Sequence, residues 1–229
     1  MKVLACDGIH EDGLAMFRDA GWTVEISAPI KDPATLAAAL EGADAVLVRS
    51  STLISAAAIE GAKQLKVIGR AGAGVDTIDV EAATAKGIAV MNAPDGNTLA
   101  AAEHAISLLF SLARHVPKAD AGMKAGLWPK AGLTGFELEG KRLGVIGLGR
   151  IGSTVARKAQ GIGMDVAAFD PFLPAAAAGK GSVALKTLDE LLAWADIITL
   201  HIPRTKDTTN LIGEPQMRAM KKGAHLVNA

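Results

Sequence analysis

The residue pattern with the clearest chemical meaning is a glycine-rich turn in the second half of the chain. It reads Gly147-Leu148-Gly149-Arg150-Ile151-Gly152, directly after the apolar run 142–146 and at the start of a helical pattern. Between a strand and a helix, the first glycine permits a tight turn and the second lets backbone approach a diphosphate. The third lets helix and strand pack closely, and the N–H groups around Arg150 and Ile151 face the diphosphate. The turn therefore predicts a dinucleotide site, with a close-packed turn without ligand as the alternative.

An acidic residue follows at the distance that such a turn requires. Asp170 comes directly after the apolar run 165–169 and 18 residues after Gly152. A carboxylate there accepts hydrogen bonds from the 2′- and 3′-hydroxyls of a ribose and repels a 2′-phosphate. Pro171 and Phe172 come next, so no basic residue is adjacent. We predict NAD over NADP as the cofactor, with an ordinary strand-end turn acid as the alternative.

A third group of candidates, His201-Ile202-Pro203, follows the apolar run 196–200. In an open parallel sheet this loop lies at the carboxyl edge, where ligands bind. We expect the backbone at Ile202 and Pro203 to line an adenosine pocket. We interpret His201 as a structural hydrogen-bonding residue in preference to an acid–base group.

Nine short apolar runs must supply the strands that position these residues. Their nearly continuous Val, Ile and Leu content is typical of strands covered on both faces. Ala-rich stretches of helical character separate them, and strand–helix–strand repetition predicts parallel βαβ units in an α/β fold. The runs are 2–6, 23–27, 44–48, 66–69, 88–91, 142–146, 165–169, 196–200 and 225–228.

The two halves of the chain are similar to each other. Val3 and Val24 are 21 residues apart, as are Val145 and Val166, and each pair brackets a glycine-containing turn and an amphipathic helix. Shared α/β composition explains part of this similarity. The ordered matches favour two doubly wound, Rossmann- or flavodoxin-like domains, 1–95 and 96–229, separated at a cluster of structure-breaking residues.

The segment after this boundary predicts one helix over 98–116, ended by Pro117. Residues 118–140 then carry apolar side chains such as Trp128 with poor periodicity. An irregular segment of that length is rarely a passive linker in a compact protein. We interpret it as an arm that covers a second subunit, which predicts a homodimer or a dimer of dimers.

Composition and charge exclude several classes of protein. Half of the residues are hydrophobic, which excludes a disordered or fibrous chain. The 24 basic and 24 acidic residues give zero net charge, so neither nucleic acid nor an anionic membrane is expected as a partner. The single Cys6 excludes a disulfide framework and a Cys-cluster zinc site, and no metal site is predicted. No apolar run approaches the ~20 residues that span a bilayer, so we expect a cytoplasmic protein.

Several stretches together resemble the D-2-hydroxyacid dehydrogenases. The resemblance covers essentially the whole chain and rests most specifically on Gly69-Arg70-Ala71-Gly72-Ala73-Gly74-Val75-Asp76 and on Asn92-Ala93-Pro94-Asp95-Gly96-Asn97-Thr98. It implies a substrate-binding domain, 1–95, followed by an NAD-binding domain, 96–229. It also implies hydride transfer between NAD and a small 2-hydroxy acid. The favoured substrate is 3-phospho-D-glycerate, oxidised to 3-phosphohydroxypyruvate in the first step of L-serine biosynthesis.

The same resemblance implies a substrate site in the first domain. Arg49 and Ser50 would face the cleft, while Asn97 and the backbone at Ala73 and Gly74 would contact the carboxylate or phosphate. These residue types suit an anion site, since Arg49 ends a predicted strand and the glycine turn exposes N–H donors. A solvated strand-end charge is the alternative for Arg49. Ala73 stands where Thr is common in the family, so the resemblance implies a role for the backbone of Ala73 and none for its side chain.

No catalytic residue is predicted within 1–229. The resemblance places the carboxylate-binding Arg directly after Ala229, and the Glu-paired His further along. His104 is the nearest acid–base candidate, but its neighbours Ala105 and Ile106 favour a buried structural histidine. We therefore expect this chain to be catalytically incomplete. Two other functions stay open, namely a dehydrogenase for glyoxylate, hydroxypyruvate or lactate, and a non-catalytic module that senses NAD.

Overall fold

The structure, a computed structural model, describes residues 1–128, 130–173, 183–205 and 207–229. It divides into two compact units, Met1–Asn97 and Thr98–Ala229. Each unit contains a five-stranded sheet whose strand pairs, within these ranges, are all parallel. The predicted α/β class with two doubly wound sheets is confirmed.

The first unit alternates strands and helices in chain order. These are β1 (Lys2–Ala5), α1 (Glu11–Asp19), β2 (Thr23–Ile26), α2 (Pro33–Leu40), β3 (Ala45–Val48), α3 (Ala56–Gly61), β4 (Val67–Arg70), α4 (Val80–Ala85) and β5 (Ala89–Asn92). The strand order is β2-β1-β3-β4-β5. The winding direction reverses between β1 and β3, and the carboxyl ends flanking such a switch point form a crevice.

Local sequence explains where these helices begin. Asp32 caps α2, since its carboxylate accepts the Thr35 N–H at 2.7 Å, and Pro33 occupies the first turn. Pro costs nothing there because the first N–H groups of a helix have no partner within the helix. The helix then buries Leu36 and Leu40 in the core that contains Val46 of β3.

The second unit begins with two helices and continues with alternating elements. They are α5 (Thr98–Arg114), α6 (Val116–Lys124), β6 (Arg142–Ile146), α7 (Arg150–Gly161), β7 (Asp165–Phe169), β8 (Ala184–Leu185), α8 (Leu188–Trp194), β9 (Ile197–Leu200), α9 (Glu214–Ala219) and β10 (His225–Asn228). The strand order β10-β9-β6-β7-β8 places the switch point between β6 and β9. Helix α5 buries Leu109 and several alanines in the same core as Val155 and Ala156 of α7.

All nine predicted strands are present, and each end lies within one residue of the prediction. The two-residue strand β8 was missed because so short a strand leaves no recognisable pattern. None of the helices in the described ranges is long and apolar enough to cross a membrane.

The prediction of one helix over 98–116 followed by an irregular segment was wrong in part. The chain turns at His115, with φ of 53°, and helix α6 then runs to Lys124 with Pro117 in its first turn. Pro117 therefore begins a new helix instead of ending the structure. The far end of the segment packs into its own unit, since the Phe136 N–H donates to the Ala113 carbonyl at 3.0 Å and Leu138 is buried. Pro129 lies outside the described residues.

Candidate functional site

The glycine-rich turn joins β6 to α7 at the switch point of the second unit. Gly147 has φ of +88°, and a Cβ there would lie 2.6 Å from the His201 carbonyl oxygen. A Cβ at Gly152 would overlap the Gly147 carbonyl oxygen. The backbone turn and the close approach of α7 to β6 therefore require glycine at both positions.

Gly149 differs from these two glycines. Its φ is −69°, and a Cβ there would meet no heavy atom within 4 Å. It caps α7 without a side-chain hydrogen bond, and the N–H groups of Gly149, Ile151 and Gly152 have no acceptor in the part of the chain that the structure describes. Arg150 lies exposed in the same first turn. The turn thus offers open space and N–H donors at a helix N-terminus, an arrangement that binds a diphosphate.

The structure places Asp170 beside this turn. One carboxylate oxygen accepts the Leu148 N–H at 2.9 Å, and the other accepts the Phe172 N–H at 3.0 Å. Each carboxylate oxygen accepts about two hydrogen bonds, so capacity remains for two hydroxyl donors. Asp170 therefore stabilises the turn and can still bind a ribose.

The loop after β9 packs against the turn from the other side. The His201 N–H donates to the Ile146 carbonyl at 2.8 Å, and the Nε2 atom of His201 lies 2.9 Å from the hydroxyl of buried Thr199. Burial lowers the pKa of His201 to about 4, so its ring is neutral at neutral pH. This geometry agrees with a structural hydrogen-bonding role.

Ile202 and Pro203 line a cavity of about 380 Å³ at the carboxyl edge of the sheet. Its other lining residues are Leu200, Arg204, Thr208, Thr209, Asn210 and Asn228. This volume lies within the range for sites that bind small molecules. A second cavity, of about 280 Å³, is lined by Asp196 and Lys221 near the amino ends of β9 and β10 and contains none of the predicted site residues.

In the first unit, the turn after β4 has hydrogen-bonded carbonyl groups and open N–H groups. The carbonyl oxygens of residues 72–74 accept hydrogen bonds, in order, from the Ala93 N–H at 3.0 Å, Asn92 Nδ2 at 2.6 Å and Arg70 Nη1 at 2.5 Å. The N–H groups of residues 73–75 have no acceptor among the residues described. Successive free N–H groups of this kind form a nest for an anion.

Arg49 and Ser50 follow β3 and are exposed. Arg70 connects this segment to the turn, because its Nε donates to the Arg49 carbonyl at 3.1 Å while its Nη1 donates to Gly74. The structure therefore brings Arg49 and the nest together at one edge of the first sheet. Asn97 is also exposed, and no hydrogen bond joins it to either segment within the described ranges.

Sequence reasoning missed the side chains that hold these segments, namely Asp7, Arg70 and Asn92. Each is a polar residue at or just after the carboxyl end of a strand, and this position was the available signal. The interpretation of His104 as buried was wrong, because α5 buries Ala102, Ala105 and Leu109 and leaves His104 exposed. Within the described ranges no group of three or more His, Cys, Asp or Glu residues could hold a metal ion.

The chain matches known proteins along its whole length. Residues 106–229 match the NAD-binding domain of the D-isomer specific 2-hydroxyacid dehydrogenases. The D-3-phosphoglycerate dehydrogenase of Archaeoglobus fulgidus is 46% identical over 229 residues, which is all of this chain and 43% of that relative. The chain belongs to the D-2-hydroxyacid dehydrogenase family. It spans less than half the length of this curated relative and of the D-3-phosphoglycerate dehydrogenase of Methanocaldococcus jannaschii.

Solved structures of similar proteins share the fold of this D-2-hydroxyacid dehydrogenase chain. A protein of Thermus thermophilus is 35% identical with a TM-score of 0.88, over all of this chain and 73% of that one. The 3-phosphoglycerate dehydrogenase of Entamoeba histolytica, solved with NAD⁺, is 31% identical with a TM-score of 0.82, over all of this chain and 71% of that one. NAD is the cofactor of the family's domain, and the open turn at Gly149 fits it.

Two glycine substitutions should separate folding from cofactor binding. Gly149→Ala should lower the free energy of unfolding by no more than about 1 kcal/mol, the cost of a poorer N-cap. It should weaken NADH binding at least about tenfold, because the methyl group occupies the space above the turn. Gly152→Ala should lower the free energy of unfolding by about 2–3 kcal/mol through overpacking. Urea denaturation and calorimetric titration of NADH measure both effects, and unchanged NADH affinity in Gly149→Ala would contradict the assignment.

The pKa of His201 predicts a loss of stability in mild acid. The unfolded chain takes up a proton at His201 below about pH 6.5, whereas the folded protein does so only near pH 4. The stability that depends on the neutral ring is complete above about pH 6.5 and falls by up to about 3 kcal/mol as the pH approaches 4. His201→Asn, which does not titrate, should lose less stability between pH 7 and 4.5 in urea denaturation. Equal losses in the two proteins would show that His201 is not responsible.

Proposed function

We propose that this chain provides the substrate- and NAD-binding residues of an enzyme that oxidises 3-phospho-D-glycerate to 3-phosphohydroxypyruvate, the first step of L-serine biosynthesis. The observation that carries the proposal is the 46% identity, over the whole chain, to the D-3-phosphoglycerate dehydrogenase of Archaeoglobus fulgidus.

We also propose that this protein works in the cytoplasm, where a free buried thiol such as that of Cys6 is the normal state of cysteine.

In this proposal residues 96–229 bind NAD, which supplies the hydride acceptor. The turn binds the diphosphate, Asp170 binds the ribose hydroxyls, and Ile202 and Pro203 line the adenosine pocket. The residues of the turn are Gly147, Gly149, Arg150, Ile151 and Gly152. The Asp170 carboxylate favours NAD over NADP because a 2′-phosphate would be repelled by it. His201 holds the loop after β9 and takes no part in proton transfer.

Residues 1–95 bind the substrate in this proposal, together with Asn97. Phosphoglycerate carries two anionic groups, a carboxylate and a phosphate. The first sheet offers two features that attract anions at one edge, namely the N–H groups at Ala73 and Gly74 and the exposed Arg49 with Ser50. The match between two anionic groups and two binding features favours phosphoglycerate over singly charged 2-hydroxy acids.

Calorimetric titrations of the 229-residue chain test this function. NADH should bind at least about tenfold more tightly than NADPH, since a 2′-phosphate adds charge beside Asp170. In the presence of NADH, 3-phospho-D-glycerate should bind at least about tenfold more tightly than D-lactate, because only the former carries a second anionic group.

Two variants control these titrations. Asp170→Ala should reduce the preference for NADH over NADPH without changing the affinity for phosphoglycerate. Arg49→Ala should weaken phosphoglycerate binding without changing the preference for NADH over NADPH. Equal affinity for NADH and NADPH in the unsubstituted chain would contradict the role of Asp170. Equal affinity for phosphoglycerate and lactate would favour a dehydrogenase of another hydroxy acid.

We further propose that the chain forms a homodimer, alone or within a dimer of dimers, through the surface around the end of α6. Met123, Leu127 and Trp128 are 52%, 60% and 72% exposed there, and a contiguous apolar patch on a protein surface marks an interaction site. An apolar cavity of about 330 Å³, lined by Met123, Trp128 and Leu133 among others, lies on the same surface. Large exposed apolar side chains around a cavity are typical of interfaces.

Substituting this surface should halve the mass of the assembly. The triple variant Met123→Ser, Leu127→Ser, Trp128→Ser removes the exposed apolar groups and leaves Leu138 in the core. Light scattering should give twice the monomer mass for the unsubstituted chain, or four times for a dimer of dimers. The variant should lose this interface and show half of that mass. Met217→Ser on α9, which changes a side chain of similar exposure elsewhere, should keep the mass of the unsubstituted chain. A triple variant of unchanged mass would place the interface on another surface.

A further inference from the structure

The switch point of the first unit is occupied by a side chain of the protein itself. Asp7 lies just beyond β1 in the left-handed region, with φ of 63°. Its Oδ2 atom accepts the N–H groups of Arg49, Ser51 and Thr52 at 2.8, 3.2 and 3.0 Å. Its Oδ1 atom accepts the Thr52 hydroxyl at 2.6 Å. One carboxylate therefore receives four hydrogen bonds from the segment that follows β3.

These donors form a cradle of the kind that binds an external anion in other sheets. In doubly wound sheets ligands bind at the carboxyl ends of the strands that flank the switch point. In the second unit the N–H groups of Gly149, Ile151 and Gly152 are open at that position, whereas in the first unit the Asp7 carboxylate accepts the donors. Burial acts to raise the pKa of Asp7, but the hydrogen bonds from Thr52, Arg49 and Ser51 outweigh it and lower the pKa below its ordinary value. Asp7 is therefore ionised at neutral pH.

Hydrogen bonds to Asp7 and Arg70 fix both ends of the Arg49 residue in space. Its N–H donates to Asp7, and its carbonyl accepts the Nε of Arg70. Thr52, which is fully buried, links the same segment to the loop after β2 because its hydroxyl accepts the Ile30 N–H at 3.2 Å. The backbone of residues 49–52 is thus held from three directions while the side chains of Arg49 and Ser50 remain exposed.

We propose that Asp7 is a positioning residue for substrate binding, whose carboxylate acts as an internal anion and orients Arg49 toward an anionic substrate. This inference rests on the substrate site proposed above. It goes beyond that site because Asp7 itself touches no substrate. The competing possibility is that Asp7 only ties β3 to β1 and affects stability alone.

Asp44 supplies a matched control for Asp7. It precedes the same strand, β3, at the opposite edge of the sheet, and its carboxylate accepts the Lys2 N–H at 2.8 Å and the Lys66 Nζ at 2.9 Å. Asp44→Asn and Asp7→Asn thus make the same chemical change to two carboxylates that connect β3 to its neighbours. Asn also tolerates the left-handed backbone at position 7, so that variant introduces no new strain.

The experiment titrates 3-phospho-D-glycerate, with NADH present, into the 229-residue chain and its variants. Asp7→Asn should weaken phosphoglycerate binding about tenfold, because charge-assisted bonds to the Arg49 segment are lost. Its affinity for NADH should not change, and Asp44→Asn should bind both ligands as the unsubstituted chain does. The double variant Asp7→Asn, Arg49→Ala should bind phosphoglycerate no more weakly than Arg49→Ala alone, since Asp7 acts through Arg49.

Each other outcome has a defined meaning. If Asp7→Asn binds phosphoglycerate like the unsubstituted chain, or if its effect adds fully to that of Arg49→Ala, the positioning role is overturned and the proposed function stands. If the unsubstituted chain binds no phosphoglycerate, the proposed substrate site fails and the role of Asp7 fails with it. If Asp7→Asn does not fold, Thr52→Val removes the hydroxyl that donates to Oδ1 and accepts the Ile30 N–H, and it leaves the backbone bonds to Oδ2 in place. It should weaken phosphoglycerate binding about threefold, and unchanged binding would overturn the positioning role.

Discussion

The second unit depends on how closely helix α7 approaches strand β6. Gly152 rests against the carbonyl group of Gly147, and a single methyl group between them would push the helix outward. The same turn touches the loop after β9 on one side and Asp170 on the other. Since α5 shares its core with α7, the approach also sets the position of the first helix of the unit. Glycine at two positions therefore determines where the N–H donors of α7 point.

Both units have a doubly wound sheet, but they differ in whether the N–H donors at the switch point are open or already hydrogen-bonded. In the second unit the strands flanking the switch point end in a turn with unsatisfied donors. In the first unit Asp7 accepts the N–H groups of Arg49, Ser51 and Thr52, and the open N–H groups at Ala73 and Gly74 lie one strand further along, after β4. A shared architecture thus places open N–H donors at a different strand end in each unit.

Much of this arrangement could be predicted from the sequence because it is local. Each buried parallel strand is an apolar run, and the motif 147–152 predicts the turn between the strand before it and the helix after it. Asp7, Arg70 and Asn92 could not be assigned in this way, because they bond to backbone atoms up to 45 residues away and the sequence does not indicate those contacts. Pro117 and His104 were misread for a related reason. A proline looks the same whether it ends one helix or begins another, and the burial of a helical residue depends on which face meets the core.

Because the carbonyl groups of residues 72–74 are fixed by hydrogen bonds, the turn after β4 can tolerate different side chains at position 73. The open donors there are peptide N–H groups, which every residue except proline possesses. Replacing Ala73 by threonine would therefore leave the N–H donors of the turn unchanged. The side chains that the turn requires are instead those of Arg70 and Asn92, which supply the bonds that keep the peptide planes in that orientation.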